Sequence, residues 1–206
     1  MTGVGPLVVV LATRNPGKVR ELESLLADLP LRLQSLLDFP QIPPLPEEGE
    51  SYAANATSKA LTIARATGQV ALADDSGLEV DALGGTPGVH SSRWLGEEAT
   101  DAERNAAVLA RLQLVPAEAR TARFRAVVVV ALRDGTVRTF EGVVEGRIAD
   151  RPAGEHGFGY DPIFLVPVYG RTMAELEPAI KNVISHRAQA VRSAQVYMAT
   201  LAKGLP

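Results

Sequence analysis

The sequence predicts an α/β protein built on a mixed β-sheet, and three patterns support this fold class. Two runs of apolar, largely β-branched residues, Leu7–Ala12 and Ala126–Leu132, are typical of buried strands. Apolar residues at helical spacing follow the first run directly, and a strand that leads into a helix favours parallel strands. Asp134-Gly135 follows the second run, and this dipeptide is a hairpin signal that adds an antiparallel strand.

The N-terminal part of the chain predicts alternating strands and helices. Pro16 suits the first turn of a helix because its missing N–H is not needed there, and Gly68 is a typical helix end. The stretch from Phe39 to Gly49 holds four prolines and therefore predicts a loop. The predicted elements are strand Leu7–Ala12, a helix from Pro16 to about Asp28, strand Leu31–Leu36, helix Ser51–Thr67 and a short strand Val70–Ala73.

The C-terminal part predicts a third helix, a hairpin and a closing helix. Thr100 with Glu103 three residues later is a capping box, which marks the start of a helix. The predicted elements are a weakly alternating segment Leu78–Leu83, a turn at Gly84–Gly88, helix Thr100–Gln113, strands Ala126–Leu132 and Thr136–Gly146, a glycine-rich loop Ala153–Asp161 and helix Asn182–Lys203.

The composition excludes several classes of protein. Hydrophobic residues make up 46% and charged residues 22% of the 206 residues, which is a globular balance. A net charge of −3 disfavours sequence-independent nucleic-acid binding, which needs a basic surface. The absence of cysteine excludes disulfides and thiolate chemistry. The apolar runs are far shorter than the roughly 20 residues of a membrane span, and no basic N-terminal signal precedes them, so we expect a cytoplasmic protein without a membrane partner.

The turn after the first strand, Thr13-Arg14-Asn15-Pro16-Gly17-Lys18, is a candidate phosphate site. A helix N-terminus offers free N–H groups and the positive end of its dipole, and Thr13, Asn15 and Lys18 would add donors and charge. The alternative is that Asn15 only caps the helix and Lys18 is solvated.

Asp74-Asp75-Ser76-Gly77 is the sharpest local signal for chemistry. The two carboxylates follow a predicted buried strand directly, and α/β folds bind ligands at the carboxyl ends of their strands. Adjacent acids repel each other, which a bound divalent cation would relieve, and Mg²⁺ prefers such oxygen ligands. The alternative is a solvated turn, since Asp is a common turn residue.

Polar residues also line one face of the second predicted helix. Ser51, Asn55 and Lys59 recur every four residues and therefore share that face. Such a face on an alanine-rich helix is usually its solvent side. It gains significance only if it meets the other charged residues.

Two further segments have ligand-binding character. Gly157–Pro162 combines glycines, which allow close approach of the backbone, with aromatic rings on which a base can stack, although a tight turn with core aromatics is the alternative. Lys181, His186 and Arg187 lie at the predicted start of the closing helix, where the dipole favours anions. That mismatch suggests a bound anion, with a solvated face as the alternative.

Taken together, these segments resemble the inosine triphosphate pyrophosphatases, also called non-canonical purine NTP (dITP/XTP) pyrophosphatases. The resemblance runs in family order from residue 7 to about 190, with Ala54 standing where the family usually has Glu. The matching blocks are Thr13–Glu21, Glu47–Ala56 with Lys59-Ala60, Ala73–Gly85 with Pro87–Val89, Gly157–Pro162 and Ser185–Arg187.

The resemblance implies a fold, an assembly and an activity. It implies one domain over residues 1–206 with two α/β lobes around an elongated mixed sheet, flanking helices and an active-site cleft between the lobes. It implies a homodimer. It also implies Mg²⁺-dependent hydrolysis of ITP, dITP and XTP to the monophosphate and pyrophosphate.

The resemblance also implies roles for individual residues. Glu47 and Asp75 would bind Mg²⁺, and Asp75 or Asp74 would deprotonate the attacking water, with Lys18 as a further catalytic residue. Phe158 would stack on the base, while His186 and Arg187 would donate to its 6-oxo group. The other residues expected to bind substrate are Thr13, Arg14, Asn15, Pro16, Gly17, Asn55, Lys59, Ser76, Gly159, Tyr160, Asp161 and Lys181.

Three other functions compete with this one. The nearest is a pyrophosphatase for a different nucleotide, such as a modified pyrimidine. A second is a nucleotide-binding module without activity, against which the acidic set Glu47, Asp74 and Asp75 argues, because binding a polyanion needs no carboxylates. A third is a nucleic-acid binder, which the net charge disfavours.

Overall fold

The computed structural model describes residues 6–46 and 49–204, so the predicted metal ligand Glu47 lies outside the described residues. Within these ranges the chain forms seven strands and five α-helices. They are β1 Leu7–Leu11, α1 Pro16–Leu26, β2 Leu31–Ser35, α2 Tyr52–Thr67, β3 Val70–Val80, α3 Asp101–Arg111, β4 Thr121–Ala131, β5 Val137–Ile148, β6 Phe164–Val166, β7 Arg171–Thr172, α4 Pro178–Ile184 and α5 His186–Ala202.

The strands form one mixed sheet in the order β2-β1-β3-β4-β5-β6-β7. β1 pairs in parallel with both β2 and β3, while β6 pairs antiparallel with β5 and β7. The hairpin predicted at Asp134-Gly135 is present, since Leu132 and Thr136 share a backbone hydrogen bond across it. The α/β class and the mixed sheet are therefore confirmed.

Several elements differ from the sequence prediction: β4 begins at Thr121 and not at Ala126, and β6 and β7 were not predicted. β3 does not end at Ala73: it continues through the acid pair to Val80, because neighbouring strands hold a segment whose Ser76-Gly77 alone would favour a turn. The closing helix is two helices, α4 and α5. They are separated at Ser185, whose backbone is extended with ψ of 155°.

The chain divides into two compact units. The first contains the residues up to Asp75, Ala126–Gly142 and the residues from Arg187 onward. The second contains Ser76–Arg125 and Val143–His186.

The core of the first unit lies between the sheet and two helices. Apolar side chains of α1 and α5, including Leu22 and Val191, pack against alternate residues of the strands, including Val9, Leu11 and Leu72. α2 buries one of its faces, and Gly68 ends the helix as predicted, with its backbone in the left-handed conformation. The helices α1 and α5 are therefore packed against the sheet whose strand β3 carries Asp74 and Asp75.

The core of the second unit joins α3 to the sheet and to the segment before α4. Val108 and Leu112 contact a cluster that includes Leu78, Phe124 and Tyr160. Thr100 and Glu103 form the predicted capping box at the start of α3. Among the described residues, no helix combines the length and the apolar character needed to span a bilayer.

Candidate active site

The first charged cluster surrounds Asp74, which lies within β3. Its Oδ2 atom is 2.8 Å from Lys18 Nζ of α1 and 3.1 Å from Arg187 Nη2 of α5. Arg187 Nη1 lies 2.6 Å from Glu21 Oε2, so the guanidinium bridges two carboxylates. The side chains of Asp74 and Arg187 are 0% and 2% exposed, which makes this a buried ion network. We call Lys18, Glu21, Asp74 and Arg187 the Asp74 cluster.

The Asp74 cluster determines the charge of its central carboxylate. Burial alone would raise the pKa of Asp74, but the charges and hydrogen bonds of Arg187 and Lys18 outweigh burial and hold that pKa well below its ordinary value. Burial opposes the charge of Arg187 as well, and Asp74 and Glu21 more than compensate, so the pKa of Arg187 is raised. Both groups are charged at neutral pH.

The second charged cluster surrounds Asp75. Asn55 Nδ2 donates to Asp75 Oδ2 at 3.0 Å, and Lys59 Nζ lies 3.3 Å from Asp75 Oδ1. Asn55 Oδ1 accepts a hydrogen bond of 2.8 Å from the backbone N–H of Gly49. Asn55 and Lys59 of the predicted polar face therefore meet Asp75, whereas Ser51 is exposed and caps α2 by accepting from the N–H of Ala54. We call Gly49, Asn55, Lys59 and Asp75 the Asp75 cluster.

The strand conformation separates the two adjacent acids. Successive side chains of a strand point to opposite faces of the sheet. Asp74 shares a face with Leu72 and meets α1 and α5, whereas Asp75 points to the other face and meets α2. The prediction that the acids follow the strand at its carboxyl end was wrong. Each acid is paired with lysine or arginine. These positive charges offset the repulsion between the two carboxylates that their adjacency in sequence implies.

The turn before α1 shows the capping arrangement that the sequence left open. Asn15 Oδ1 accepts from the N–H groups of Gly17 and Lys18 at 2.8 and 3.2 Å, and Thr13 Oγ1 accepts from the N–H of Asn15. Arg14 donates to the carbonyl oxygen of Ile42 at 2.5 Å and thereby ties the proline-rich loop to the turn. Pro16 occupies the first helical turn, as predicted.

The glycine–aromatic loop lies in the second unit and is closely held. Asp161 Oδ2 accepts from the N–H of Phe158 at 2.9 Å and pairs with Lys181 Nζ at 2.5 Å. Lys181 Nζ also lies 5.0 Å from the centre of the Phe158 ring, within the range of a cation–π contact. A Cβ on Gly157, whose φ is +78°, would lie 2.0 Å from Asp161 Oδ2, so only glycine fits there.

Two residues of α3 that the sequence analysis did not single out hold the same loop. Asp101 Oδ2 accepts from the N–H of Gly159 at 2.7 Å, and Asn105 Nδ2 donates to the carbonyl oxygen of Gly159 at 3.1 Å. The four-residue spacing of Asp101 and Asn105 is the only sign of this contact in the sequence. No local pattern connects α3 to a loop more than fifty residues later.

The cationic residues around Ser185 are explained by protein carboxylates. Lys181 belongs to α4 and pairs with Asp161, while Arg187 pairs with Asp74 and Glu21. His186 is buried and stacks on Phe124 with ring centres 4.7 Å apart. The anion inferred from the supposed helix start is therefore not required to balance these charges.

The chemistry of the Asp75 carboxylate fits a magnesium ion. Its oxygens contact Asn55 and Lys59, and a carboxylate can accept several contacts at once. Mg²⁺ typically takes one or two carboxylates and completes its shell with water and phosphate oxygens. Among the residues that the structure describes, no group of three acidic or histidine side chains is arranged as a metal site.

The fold and these clusters define an α/β protein whose paired strand acids are each held by lysine or arginine from a flanking helix. A model of the Ham1 family matches residues 9–197, so the chain belongs to the Ham1 family.

Relatives in sequence and structure extend along nearly the whole chain. A Thermus thermophilus protein named dITP/XTP pyrophosphatase is 54% identical over 185 residues, which are 90% of this chain and 88% of that protein. A Geobacillus kaustophilus protein of the same name is 50% identical over 89% of this chain and 90% of its own length. The solved structure of a HAM1 protein from Coxiella burnetii superimposes with a TM-score of 0.84 at 43% identity, covering 93% of this chain and 98% of that one.

Proposed function

We propose that this chain hydrolyses non-canonical purine nucleoside triphosphates (ITP, dITP and XTP) to the monophosphate and pyrophosphate in a Mg²⁺-dependent reaction. The observation that carries the proposal is the pair of acids in β3, each oriented by its own cluster, in a chain about half identical to proteins named dITP/XTP pyrophosphatase. Removal of such nucleotides prevents polymerases from using them.

The two charged clusters would handle the triphosphate. Lys18 pairs with Asp74 and Lys59 pairs with Asp75, and these two lysines would supply positive charge for phosphate oxygens. Thr13 and Asn15 add polar groups at the start of α1. Asp75 and Glu47 would hold Mg²⁺, and the bound ion supplies charge that offsets that of the triphosphate.

The hydrolytic step exchanges one phosphorus–oxygen bond for another. The oxygen of a water molecule bonds to the α-phosphorus, and the bond from that phosphorus to the oxygen bridging to the β-phosphorus breaks. Pyrophosphate leaves with the electron pair. Asp75 orients the water and accepts its proton, with Asp74 as the alternative that the sequence leaves open.

The glycine–aromatic loop would recognise the base. Phe158 offers a stacking face. Asp161 accepts from its backbone N–H, and Lys181 lies against its ring. Hypoxanthine and xanthine carry a 6-oxo acceptor where adenine has a 6-amino donor, so a donor such as His186 discriminates between them. Arg187 was expected to share this task. The Arg187 guanidinium already donates to Glu21 and Asp74, and these contacts favour a role in holding Asp74.

The first experiment is a product analysis. The purified protein is incubated with ITP, dITP, XTP, GTP and ATP in H₂¹⁸O, with and without Mg²⁺. We expect Mg²⁺-dependent formation of monophosphate and pyrophosphate from the first three, with ¹⁸O in the monophosphate. Inosine diphosphate with phosphate, or ¹⁸O in pyrophosphate, would contradict attack at the α-phosphorus. Turnover of a modified pyrimidine alone would favour the rival substrate class, and tight binding without turnover would favour the binding module.

A substitution tests the role of Asp75. We expect Asp75→Asn to lower kcat by about 10²-fold or more, because it removes a charge from the metal site and the acceptor for the water's proton. Asp134→Asn, in the distant hairpin turn, is the matched control and should keep full activity. Near-normal turnover by Asp75→Asn would refute the assignment.

A homodimer and a cytoplasmic location belong to the same proposal. The dimer is tested by light scattering coupled to size-exclusion chromatography, which should give twice the mass of the chain.

A further inference from the structure

We infer that Asp101 and Asn105 of α3 are positioning residues that set the orientation of Phe158 for the base. We call these two residues the α3 clamp. This inference rests on the proposed function, in which Phe158 stacks on the base. It adds α3, which the proposed function does not include, to the site that recognises the base.

The α3 clamp holds both polar groups of one residue. Asp101 accepts from the N–H of Gly159, which belongs to the peptide plane shared with Phe158, at 2.7 Å. Asn105 donates to the carbonyl oxygen of Gly159, which belongs to the next peptide plane, at 3.1 Å. With the N–H of Phe158 bonded to Asp161, the backbone on both sides of the Phe158 side chain is fixed. The ring therefore projects from a backbone with little freedom to rotate.

The helix that carries the clamp is itself well anchored. The capping box at Thr100 fixes the start of α3, and Val108 and Leu112 are fully buried in the core of the second unit. The other oxygen of Asp101 accepts from Arg104 at 3.1 Å, which orients the carboxylate. Asp101 and Asn105 lie four residues apart and so share the helix face that meets Gly159.

The burial of Asn105 indicates a functional reason for its amide. The residue is 4% exposed, and its Oδ1 atom is buried with no hydrogen-bond partner among the residues that the structure describes. A buried polar atom without a partner destabilises the folded chain, whereas an apolar side chain of similar shape would avoid that cost. The amide is explained by its donation to Gly159, which an apolar side chain cannot make.

A clamp of this kind acts through substrate affinity. Holding Phe158 in its binding orientation lowers the entropy lost when the base binds. Losing the clamp weakens an interaction that is the same in the ground state and the transition state, so KM rises while kcat is kept. The triphosphate end of the substrate does not use Phe158, so a base-free polyphosphate should not detect the change.

The test compares Asn105→Leu and Asp101→Ala with wild type. We expect KM for dITP to rise about 10-fold, as a weakened base–aromatic contact would produce, with kcat changed less than about twofold. Inhibition by inorganic tripolyphosphate should be unchanged, and the melting temperature of Asn105→Leu should not fall. Two matched controls should keep KM: Val108→Ala, which destabilises the same helix, and Asp134→Ala, which removes a carboxylate bonded to a turn N–H elsewhere.

A double substitution shows whether the clamp acts through Phe158. In a Phe158→Ala background, Asn105→Leu should add less than about twofold to KM, because the side chain that it positions is gone. Unchanged KM in both clamp variants, additive losses, or a parallel loss of tripolyphosphate inhibition would overturn the inference.

Phe158→Ala alone separates this inference from the proposed function. If it leaves KM for dITP and calorimetric affinity for IMP unchanged, base stacking by Phe158 is wrong and the inference falls with it. If it weakens both while the clamp variants do not, only the inference is wrong. The IMP measurement gives this comparison without turnover.

Discussion

At the scale of single residues, Asp74 shows how two neighbouring cations make a buried carboxylate stable. Taking a charge out of water is costly, and the geometry of Lys18 and Arg187 offsets that cost with contacts of 2.8 and 3.1 Å. Asp75, one residue later, depends on an amide and a lysine of α2. The two acids are neighbours in sequence but belong to different electrostatic environments.

Neutralising Asp74 should destabilise the chain. In Asp74→Asn, Arg187 loses one of its two carboxylate partners while it stays buried, and we expect the free energy of unfolding to fall by about 3 kcal/mol. Asp150→Asn is the matched control: it changes a carboxylate that also pairs with an arginine but is 80% exposed, and it should cost less than about 1 kcal/mol. Chemical denaturation at neutral pH measures both. Equal losses would show that burial of the pair is irrelevant.

The lowered pKa of Asp74 predicts how stability depends on pH. In the unfolded chain this carboxyl titrates near its ordinary value of 3.8, so the unfolded chain takes up the proton first as the pH falls. The stabilisation by ionised Asp74 is therefore complete well above pH 3.8 and is lost progressively below it. Between pH 7 and about pH 3, wild type should lose more free energy of unfolding than Asp74→Asn. Identical losses in urea titrations would contradict this assignment.

At the scale of elements, β3 and α2 are joined because Asn55 and Lys59, four residues apart on one face of the helix, both contact Asp75. Asn55 joins them to the loop before α2 by bonding to Asp75 on one side and to Gly49 on the other. This amide is the link between that loop and the strand.

Gly49 tests that link. A Cβ at this position would lie 2.6 Å from Asn55 Oδ1 and 3.0 Å from Ala54 Cβ, so Gly49→Ala must displace the amide. We expect kcat to fall about 10-fold or more, since small displacements of a catalytic group are costly. Ala66→Gly, on the exposed side of the same helix, should lower the melting temperature and keep kcat. Loss of activity in both variants would point to general damage to α2.

At the scale of the whole molecule, the sequence predicted elements whose pattern is local. The boundaries of α1 and α2, the capping box of α3 and the hairpin after β4 all follow from spacing, caps and turn residues within a few positions. The sheet's mixed character followed from the same patterns. These features need no knowledge of distant contacts.

The features that were missed depend on contacts between distant segments. Ser76-Gly77 favours a turn locally, and only pairing within the sheet keeps it in β3. The break between α4 and α5 falls at Ser185, which is neither glycine nor proline, the residues that usually mark the end of a helix in a sequence. Asp101 and Asn105 acquire a role only when α3 meets a loop brought close by the fold. The acid pair, by contrast, stood out in the sequence, because two adjacent carboxylates directly follow an apolar run, although their burial inside β3 could not be predicted.

The position of the acids inside a strand makes this part of the gene intolerant of length changes. Because side chains alternate between faces, inserting or deleting one codon between Val70 and Asp74 would exchange the faces of the two acids. Asp74 would then turn toward Asn55 and Lys59, and Asp75 toward Lys18 and Arg187. Frame-preserving variation in chain length should therefore accumulate in the surface turns of this family and be excluded from these few positions.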